Sequence, residues 1–221
     1  MDYYHFVSLL ESKKDDKLAS FSKKLSNSDY LFYGIKIPEL RKIIKDIKQD
    51  KELDLKVFIL GNYFEIDFIY FGLSLIKIND IDMQLSFIQK EIHKAKSWMV
   101  TDSVPSFISK YDFDTYFSFF LKTYNSKEEY ERRISYVLGL KLSKEKEILS
   151  ILEYMNKEDT YIVEMAKAWL LATIAITYPK EVYDFVSKIK SSLLKRKTIS
   201  KIIESFRISD LVKNGFKKLR H

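Results

Sequence analysis

The sequence of 221 residues contains no cysteine, five glycines and three prolines. The lack of cysteine excludes a disulfide framework, a thiol nucleophile, an iron–sulfur cluster and a cysteine-based zinc site. So few glycines and prolines leave too few turns for a β-sandwich, a β-barrel or repeated phosphate-binding loops. His5, His93 and His221 are too scattered for a metal site, and the pair Asp80 and Asp82 indicates a helix start. We expect a mainly helical protein that uses no metal or other cofactor.

Long apolar runs are also missing. No stretch approaches the roughly 18 apolar residues of a membrane span. The N-terminal segment MDYYHFVSLLESKKDD mixes acids with lysines, unlike the basic-then-apolar layout of a secretory signal. With 46% hydrophobic residues, the composition is typical of neither a disordered chain nor a membrane protein. We therefore expect a globular, cytoplasmic protein that does not contact a membrane.

Positive charge is concentrated near the C-terminus. The whole chain has a net charge of +7, but residues 186–221 hold eleven Lys and Arg against two Asp and Glu. Such a concentration on short helices favours polyanion binding, because neutralising phosphates releases condensed counterions. A solvated lysine-rich surface is the alternative, and charge alone does not separate the two. The predicted DNA-binding residues of this region are Lys195, Arg196, Lys197 and Lys201.

Apolar residues recur at helical spacing in most of the chain. Between residues 38 and 48 they stand at i, i+3, i+4 and i+7, and Pro38 suits a first helical turn. Residues 63–79 are more apolar, which predicts an inner helix covered on both faces, and the least polar helix, 158–178, should lie near the centre. The predicted buried positions are Leu40, Ile43, Ile44 and Ile47 in the first segment, Phe64, Phe68, Phe71, Ser74 and Leu75 in the second, and Tyr130, Ile134, Val137 and Leu138 in a helix over 127–142.

Polar breaks separate these segments at intervals of 15–20 residues, which predicts about a dozen helices joined by short loops. Two helices per unit give a period of about 35–45 residues, the range of HEAT-type α-solenoids. We predict an all-α fold, with residues 1–221 forming one domain of HEAT-like antiparallel helix pairs with a concave basic face. Such a surface suits a nucleic-acid backbone or another protein.

The first of the two tryptophans lies in the segment KSWMVTDSVPSF. Asp102 is four residues after Trp98, so a helix would place the indole and the carboxylate on one face, where both could contact one ligand. The alternative is structural: Trp98 belongs to the core and Asp102 caps the helix that Pro105 begins. From spacing alone the structural interpretation is the more common one.

The second tryptophan lies on a predicted apolar stripe. Trp169 shares helical periodicity with four other apolar residues, which indicates ordinary core packing. It has a functional role only if its indole reaches the concave rim. The members of the stripe are Ile162, Met165, Trp169, Ala172 and Ile176.

Two adjacent arginines have two interpretations as well. Arg132 and Arg133 stand four residues after Glu128 and Glu129, so each has a candidate helical ion-pair partner. Alternatively, one guanidinium points inward and clamps a phosphate, a task that suits its planar fork.

Four segments, taken together and in order, resemble the AlkD-type DNA alkylation-repair glycosylases, a family built of HEAT-like helical repeats. In the last segment the tryptophan stands ten residues before Pro179, as in the family's helix and turn. The segments are LFYGIKIPELRKIIKDI (31–47), KSWMVTDSV (96–104), YERRISYVLGLK (130–141) and EMAKAWLLATIAITYPKEVYDFV (164–186).

The resemblance implies a function and a set of site residues. Asp102 corresponds to the catalytic carboxylate, Trp98 and Trp169 to the aromatic walls of the site, and Arg133 to an arginine that contacts the DNA backbone, with Arg132 as the other register. Family members excise N3- and N7-alkylated purines without the deep base pocket of glycosylases that flip nucleotides. The partner implied is double-stranded DNA, and we expect a monomer.

The chemistry suits such a site. An alkylated purine is already cationic and leaves as a neutral base, so no acid has to protonate it. An ionised Asp102 would stabilise the positive charge that develops on the sugar and could orient the attacking water. The π faces of Trp98 and Trp169 would favour the same charge.

The sequence departs from the family pattern beside this aspartate. Ser97 stands where some members have a second tryptophan, and Met99, Val100 and Thr101 are more apolar than a version of this segment that carries a carboxylate. A weaker or narrower activity is compatible with these differences. Two alternatives to a glycosylase therefore stay open: a non-catalytic protein of the same family that binds DNA structures, and a protein-interaction scaffold.

Overall fold

The computed structural model describes residues 1–26, 28–50 and 53–220. Within these ranges the chain forms twelve α-helices and no β-strand, apart from an isolated bridge between Leu31 and Tyr63. The prediction of an all-α fold is therefore confirmed. The helices are α1 (Tyr3–Glu11), α2 (Asp16–Ser26), α3 (Ile37–Ile47), α4 (Phe64–Lys77), α5 (Ile81–Glu91), α6 (Trp98–Ser103), α7 (Phe113–Thr123), α8 (Glu129–Gly139), α9 (Tyr161–Ile174), α10 (Pro179–Lys188), α11 (Ser192–Glu204) and α12 (Asp210–Lys217).

Short 3-10 helices connect several of these elements. They span Leu55–Val57, Ile92–Lys94, Val104–Ser106, Leu140–Leu142, Lys146–Asn156 and Lys218–Arg220. The start of α5 shows how local chemistry sets a boundary. The Asp80 carboxylate accepts a hydrogen bond from the Met83 N–H at 2.8 Å, so this acid is an N-cap, as predicted.

The described residues divide into two compact units. The first unit is Met1–Lys110 and contains α1 to α6; the second begins at Tyr111 and contains α7 to α12. The single HEAT-like domain over residues 1–221 and its concave basic face stay predictions.

In the first unit, α4 is the inner helix that the sequence predicts. Phe64, Phe68, Phe71, Ser74 and Leu75 are all buried, and the helix packs against α3 and α6. On α3 the four predicted apolar positions are buried and Pro38 stands in the first turn. The contact between α4 and α6 matters for function, because α6 carries the first tryptophan and its aspartate.

In the second unit, α9 occupies the central position. It packs against α8 and α11, and most of its residues are buried, as its low polarity predicts. On α8, Ile134, Val137 and Leu138 are buried, whereas Tyr130 is only half-buried. Because α8 and α9 touch, side chains of α8 can reach the start of α9.

Candidate functional site

Helix α6 holds Trp98 and Asp102 one turn apart, and both side chains are partly exposed. The hydroxyl of Ser97 caps this helix by accepting a hydrogen bond from the Met99 N–H at 3.2 Å. The serine that departs from the family pattern is thus the residue that starts the helix. The structure brings the indole and the carboxylate onto one short helix, as the spacing predicts.

The alternative role of Asp102 as a cap is wrong. The 3-10 helix Val104–Ser106, which contains Pro105, has Ser103 at the capping position and no side-chain cap. The aspartate lies inside α6, one residue too early to cap the following turn. Its Oδ1 is 3.4 Å from the Thr101 hydroxyl.

The indole of Trp98 is attached to the end of α2. Its Nε1–H donates to the carbonyl of Ser26 at 3.1 Å, and the Thr101 hydroxyl donates to the carbonyl of Trp98 at 2.8 Å. Trp98 is half-buried, and the hydrogen bond to Ser26 sets the orientation of its indole. It is therefore not a purely apolar core residue.

The backbone just before α6 is bound to a buried tyrosine and a buried aspartate. The Lys96 N–H donates to the Tyr30 hydroxyl at 2.9 Å, and that hydroxyl donates to the Asp67 carboxylate. Asp67 also accepts from the Gly61 N–H at 3.0 and 3.1 Å. Burial raises the pKa of Asp67 to about 7, although the hydrogen bonds from Tyr30 and Gly61 and the charge of Lys96 act in the opposite direction.

A second buried acid of α4 organises the loop of the first family-like segment. The Glu65 carboxylate accepts from the N–H groups of Tyr33, Gly34 and Ile35 at 3.1, 2.8 and 3.2 Å. Burial raises the pKa of Glu65 against these three bonds. Gly34 has a φ of +81°, and a Cβ there would lie 2.1 Å from the carbonyl oxygen of Asp15, so only glycine fits.

In the second unit, Arg132 binds an acid far away in sequence. Its Nε lies 3.0 and 3.1 Å from the two carboxylate oxygens of Asp159, and its Nη2 lies 2.8 Å from one of them. Its Nη1 donates to the carbonyls of Ser126 and Lys127. The prediction that Arg132 pairs with Glu128 is wrong, because the planar fork finds a bidentate carboxylate on the segment before α9.

Arg133 is buried, with 4% of its surface exposed, and its Nη1 donates to the carbonyl of Ile162 in the first turn of α9. This contact joins α8 to α9. That Arg133 contacts the DNA backbone stays a prediction.

Trp169 lies on the partly exposed side of α9. Ile162 and Met165 of α9 are also partly exposed, as is Ile176 just after the helix ends, while Ala172 is the only buried member of the predicted stripe. The expectation of core burial is confirmed for Ala172 and wrong for the other four members, because α9 packs against α8 and α11 through its other sides. An indole on this side has the exposure that a ligand contact requires.

A buried lysine on the covered side of α9 was not identified from the sequence. Lys167 is 1% exposed; its Nζ donates to the carbonyl of Lys157 at 2.7 Å and lies 3.6 Å from Glu164 and 3.9 Å from Asp159. Burial lowers the pKa of Lys167, while the two acids oppose that change. The sequence feature that could have identified it is the pair of opposite charges, Glu164 and Lys167, three residues apart in the least polar helix.

The predicted DNA-binding residues of α11 differ in exposure. Arg196 is exposed, and Lys195, Lys197 and Lys201 are partly exposed. Among the described residues none of the four forms an ion pair, and Lys197 Nζ lies 5.4 Å from the ring centre of Tyr161. A cavity of about 520 Å³ is lined by Ser192, Lys195, Arg196, Ile199, Ser200, Leu219 and Arg220.

Trp98 and Asp102 thus lie together in the first unit, and Arg132 and Arg133 lie on α8 in the second, with Trp169 on the neighbouring α9. The grouping of these residues into one site stays a prediction. The described residues contain no cluster of three or more His, Asp and Glu side chains placed to hold a metal ion. Within the same residues, every helix is too short or too polar to cross a membrane.

The described residues form a helical fold in which α6 carries Trp98 and Asp102, and comparison with known proteins identifies the family. A model of the family described as "DNA alkylation repair enzyme" matches residues 6–206. The chain belongs to this family, which confirms the resemblance.

A solved structure supports the assignment of the fold. The chain is similar to a predicted DNA alkylation repair enzyme from Enterococcus faecalis, with a TM-score of 0.64 and 16% identity. The match covers 87% of this chain and 98% of the other. No curated protein sequence matches this chain.

Proposed function

We propose that the protein is a monofunctional DNA glycosylase that excises cationic N3- and N7-alkylated purines from duplex DNA. The observation that carries the proposal is α6, where Trp98 and Asp102 stand one turn apart and partly exposed in a member of the DNA alkylation repair enzyme family. The broader role in DNA repair follows from the family; the substrate and the chemistry are our proposal.

The reaction breaks the bond between the sugar C1′ and the purine nitrogen. The electron pair stays on the base, which becomes neutral, and the sugar becomes an oxocarbenium ion. An ionised Asp102 stabilises that charge, and the face of Trp98 packs on the deoxyribose. Water then forms the new bond to C1′ and loses its proton, directly to Asp102 or to solvent, as in glycoside hydrolysis.

The second unit supplies binding groups in this proposal. Trp169 is the other aromatic contact, since its side of α9 is partly exposed. The α11 cations Lys195, Arg196, Lys197 and Lys201 bind phosphates, because their charges are not neutralised by acids of the described residues.

The test is release of 7-methylguanine from methylated duplex DNA by the wild type and by Asp102→Asn. We expect the amide to lower the single-turnover rate about 100-fold or more, because it cannot carry the negative charge. Asp46→Asn, which makes the same change at an exposed position on α3, is the matched control and should keep the wild-type rate. Equal rates for Asp102→Asn and the wild type would refute the role of the carboxylate.

One observation favours a non-catalytic DNA-binding protein as the second candidate. The family resemblance implies that Arg133 contacts the DNA backbone. Its guanidinium is, however, buried and donates to the Ile162 carbonyl. No base release by the wild type, combined with duplex affinity that falls steeply with salt, would support this candidate. Absence of duplex affinity would support a protein-interaction scaffold.

A further inference from the structure

We propose that Tyr30 and Asp67 are positioning residues for α6, which set the direction in which Trp98 and Asp102 are presented. This inference rests on the proposed function for its consequence in catalysis. Its structural part stands on hydrogen bonds within the first unit.

The Tyr30 hydroxyl connects two parts of the chain by acting as donor and acceptor at once. It donates to Asp67 and accepts from the Lys96 N–H at 2.9 Å, two residues before Trp98. Tyr30 is 1% exposed and Asp67 is fully buried. Water therefore does not compete readily for these bonds.

Asp67 fixes the Tyr30 hydroxyl to helix α4. It lies in the first turn of α4, next to Phe68, and both side chains are fully buried. A buried carboxylate is costly unless it accepts hydrogen bonds, and Asp67 accepts them from Tyr30 and from the Gly61 N–H. The aspartate thus binds the Tyr30 hydroxyl, the Gly61 loop and, through Tyr30, the start of α6.

A second attachment acts on the same stretch of chain. The Trp98 indole donates to the Ser26 carbonyl at 3.1 Å, and the Lys23 ammonium donates to the Tyr30 carbonyl at 2.8 Å. The segment 96–98 is therefore held at its backbone by Tyr30 and at its indole by Ser26. Rotation of α6 about its axis would break at least one of these bonds.

Apolar packing alone would not fix that rotation. Val100 and Val104 are fully buried, but the hydrophobic contribution is non-directional, whereas hydrogen bonds weaken steeply when they are misaligned. Asp102 lies one turn after Trp98, so any rotation moves the carboxylate as well. This is the physical reason for placing a tyrosine and an acid behind a short helix.

The experiment compares Tyr30→Phe with Tyr116→Phe. Tyr30→Phe removes the bridging oxygen and keeps the ring. Tyr116 is also 1% exposed, and its hydroxyl donates to the Ser135 carbonyl at 3.0 Å, so Tyr116→Phe removes a buried hydroxyl of the same kind from a hydrogen bond between α7 and α8. Asp67→Asn is a milder third variant, because an amide oxygen still accepts one of the bonds.

The first readout is independent of activity. The chain has two tryptophans, so ¹H–¹⁵N spectra contain two indole signals, which Trp169→Phe assigns. We expect Tyr30→Phe to shift the Trp98 indole signal and to speed hydrogen exchange at the Lys96 amide, while the Trp169 signal stays in place. Asp67→Asn should produce a smaller shift in the same direction, and Tyr116→Phe none at Trp98.

The second readout is the single-turnover rate of 7-methylguanine release against duplex Kd. We expect Tyr30→Phe to lower the rate about 10- to 100-fold, since small misplacement of a reacting group has effects of this size, and to leave Kd within about twofold. An unchanged Trp98 signal in both Tyr30→Phe and Asp67→Asn would overturn the inference. Equal rate losses in Tyr30→Phe and Tyr116→Phe would overturn it too.

The two proposals fail in different ways. If the wild type releases no base but Tyr30→Phe still shifts the Trp98 signal, the positioning of α6 is supported and the glycosylase proposal fails. If the wild type is active and the Trp98 signal and rate are unaffected by Tyr30→Phe and Asp67→Asn, the positioning inference fails alone.

Discussion

The two units stabilise the charged side chains near their candidate site residues in different ways. In the first unit, Glu65 and Asp67 are satisfied by backbone N–H groups and a tyrosine hydroxyl. In the second, the buried Glu164 and Lys167 form an ion pair, and the partly buried Asp159 pairs with Arg132. Neutral donors let an acid change its charge without leaving an opposite charge behind, whereas removal of one member of an ion pair strands its partner. The comparison predicts a second unit sensitive to charge removal and a first unit sensitive to pH.

The largest expected effect is that of Lys167→Met. The change leaves Glu164 and Asp159 without the buried cation, so we expect the free energy of unfolding to fall by about 3–5 kcal/mol, the usual result of breaking a buried pair. Urea unfolding followed by circular dichroism measures it. Lys14→Met removes an ion pair with Asp16 at an exposed position and should leave unfolding unchanged. Similar losses in both variants would break the comparison.

A smaller effect is expected from Asp67→Asn on the pH dependence of stability. The folded-state pKa of Asp67 is raised to about 7, so between about pH 4 and 7 the unfolded chain ionises this acid while the folded chain resists. The free energy of unfolding therefore falls as pH rises through this window, by at most about 1.4 kcal/mol per pH unit for one group. Asp67→Asn should flatten this slope, as seen in urea midpoints at several pH values. A slope that stays the same would show that Asp67 does not titrate as proposed.

The smallest expected effect concerns the charge of α11. Arg196→Gln should make the negative slope of log K against log salt for duplex binding less steep by about 0.9, the value for one phosphate contact. The matched change Lys45→Gln, at an exposed position on α3 in the first unit, should leave the slope unchanged. Equal changes would remove the basis for assigning phosphate binding to α11.

Periodicity predicted those helices in which apolar and polar residues alternate clearly. On α3 the apolar face and the proline start were predicted correctly, and α4 was recognised as an inner helix. The spacing also placed Trp98 and Asp102 on one helix, which the structure shows as α6. In these cases the pattern along the chain contains the information about which side is covered.

The same pattern failed on α9, where almost every side is apolar. Hydropathy then does not distinguish the side that faces α8 and α11 from the side that bears Trp169. The partner of Arg132 was missed for another reason: spacing along a helix offers only neighbours three or four residues away, whereas Asp159 is 27 residues distant. The roles of Glu65 and Asp67 were not predicted, although both acids interrupt an apolar run in which charges are expensive to bury.

Gly34 constrains how this protein can change over time. Its amide binds Glu65, and the space for a side chain is already taken by the Asp15 carbonyl just before α2. If residues 30–36 were randomised and functional clones selected, position 34 should return glycine alone, while exposed neighbours such as Lys36 should drift freely. The sequence of this loop is thus limited by contact with Asp15 and with the start of α2, a helix that contributes none of the proposed catalytic side chains.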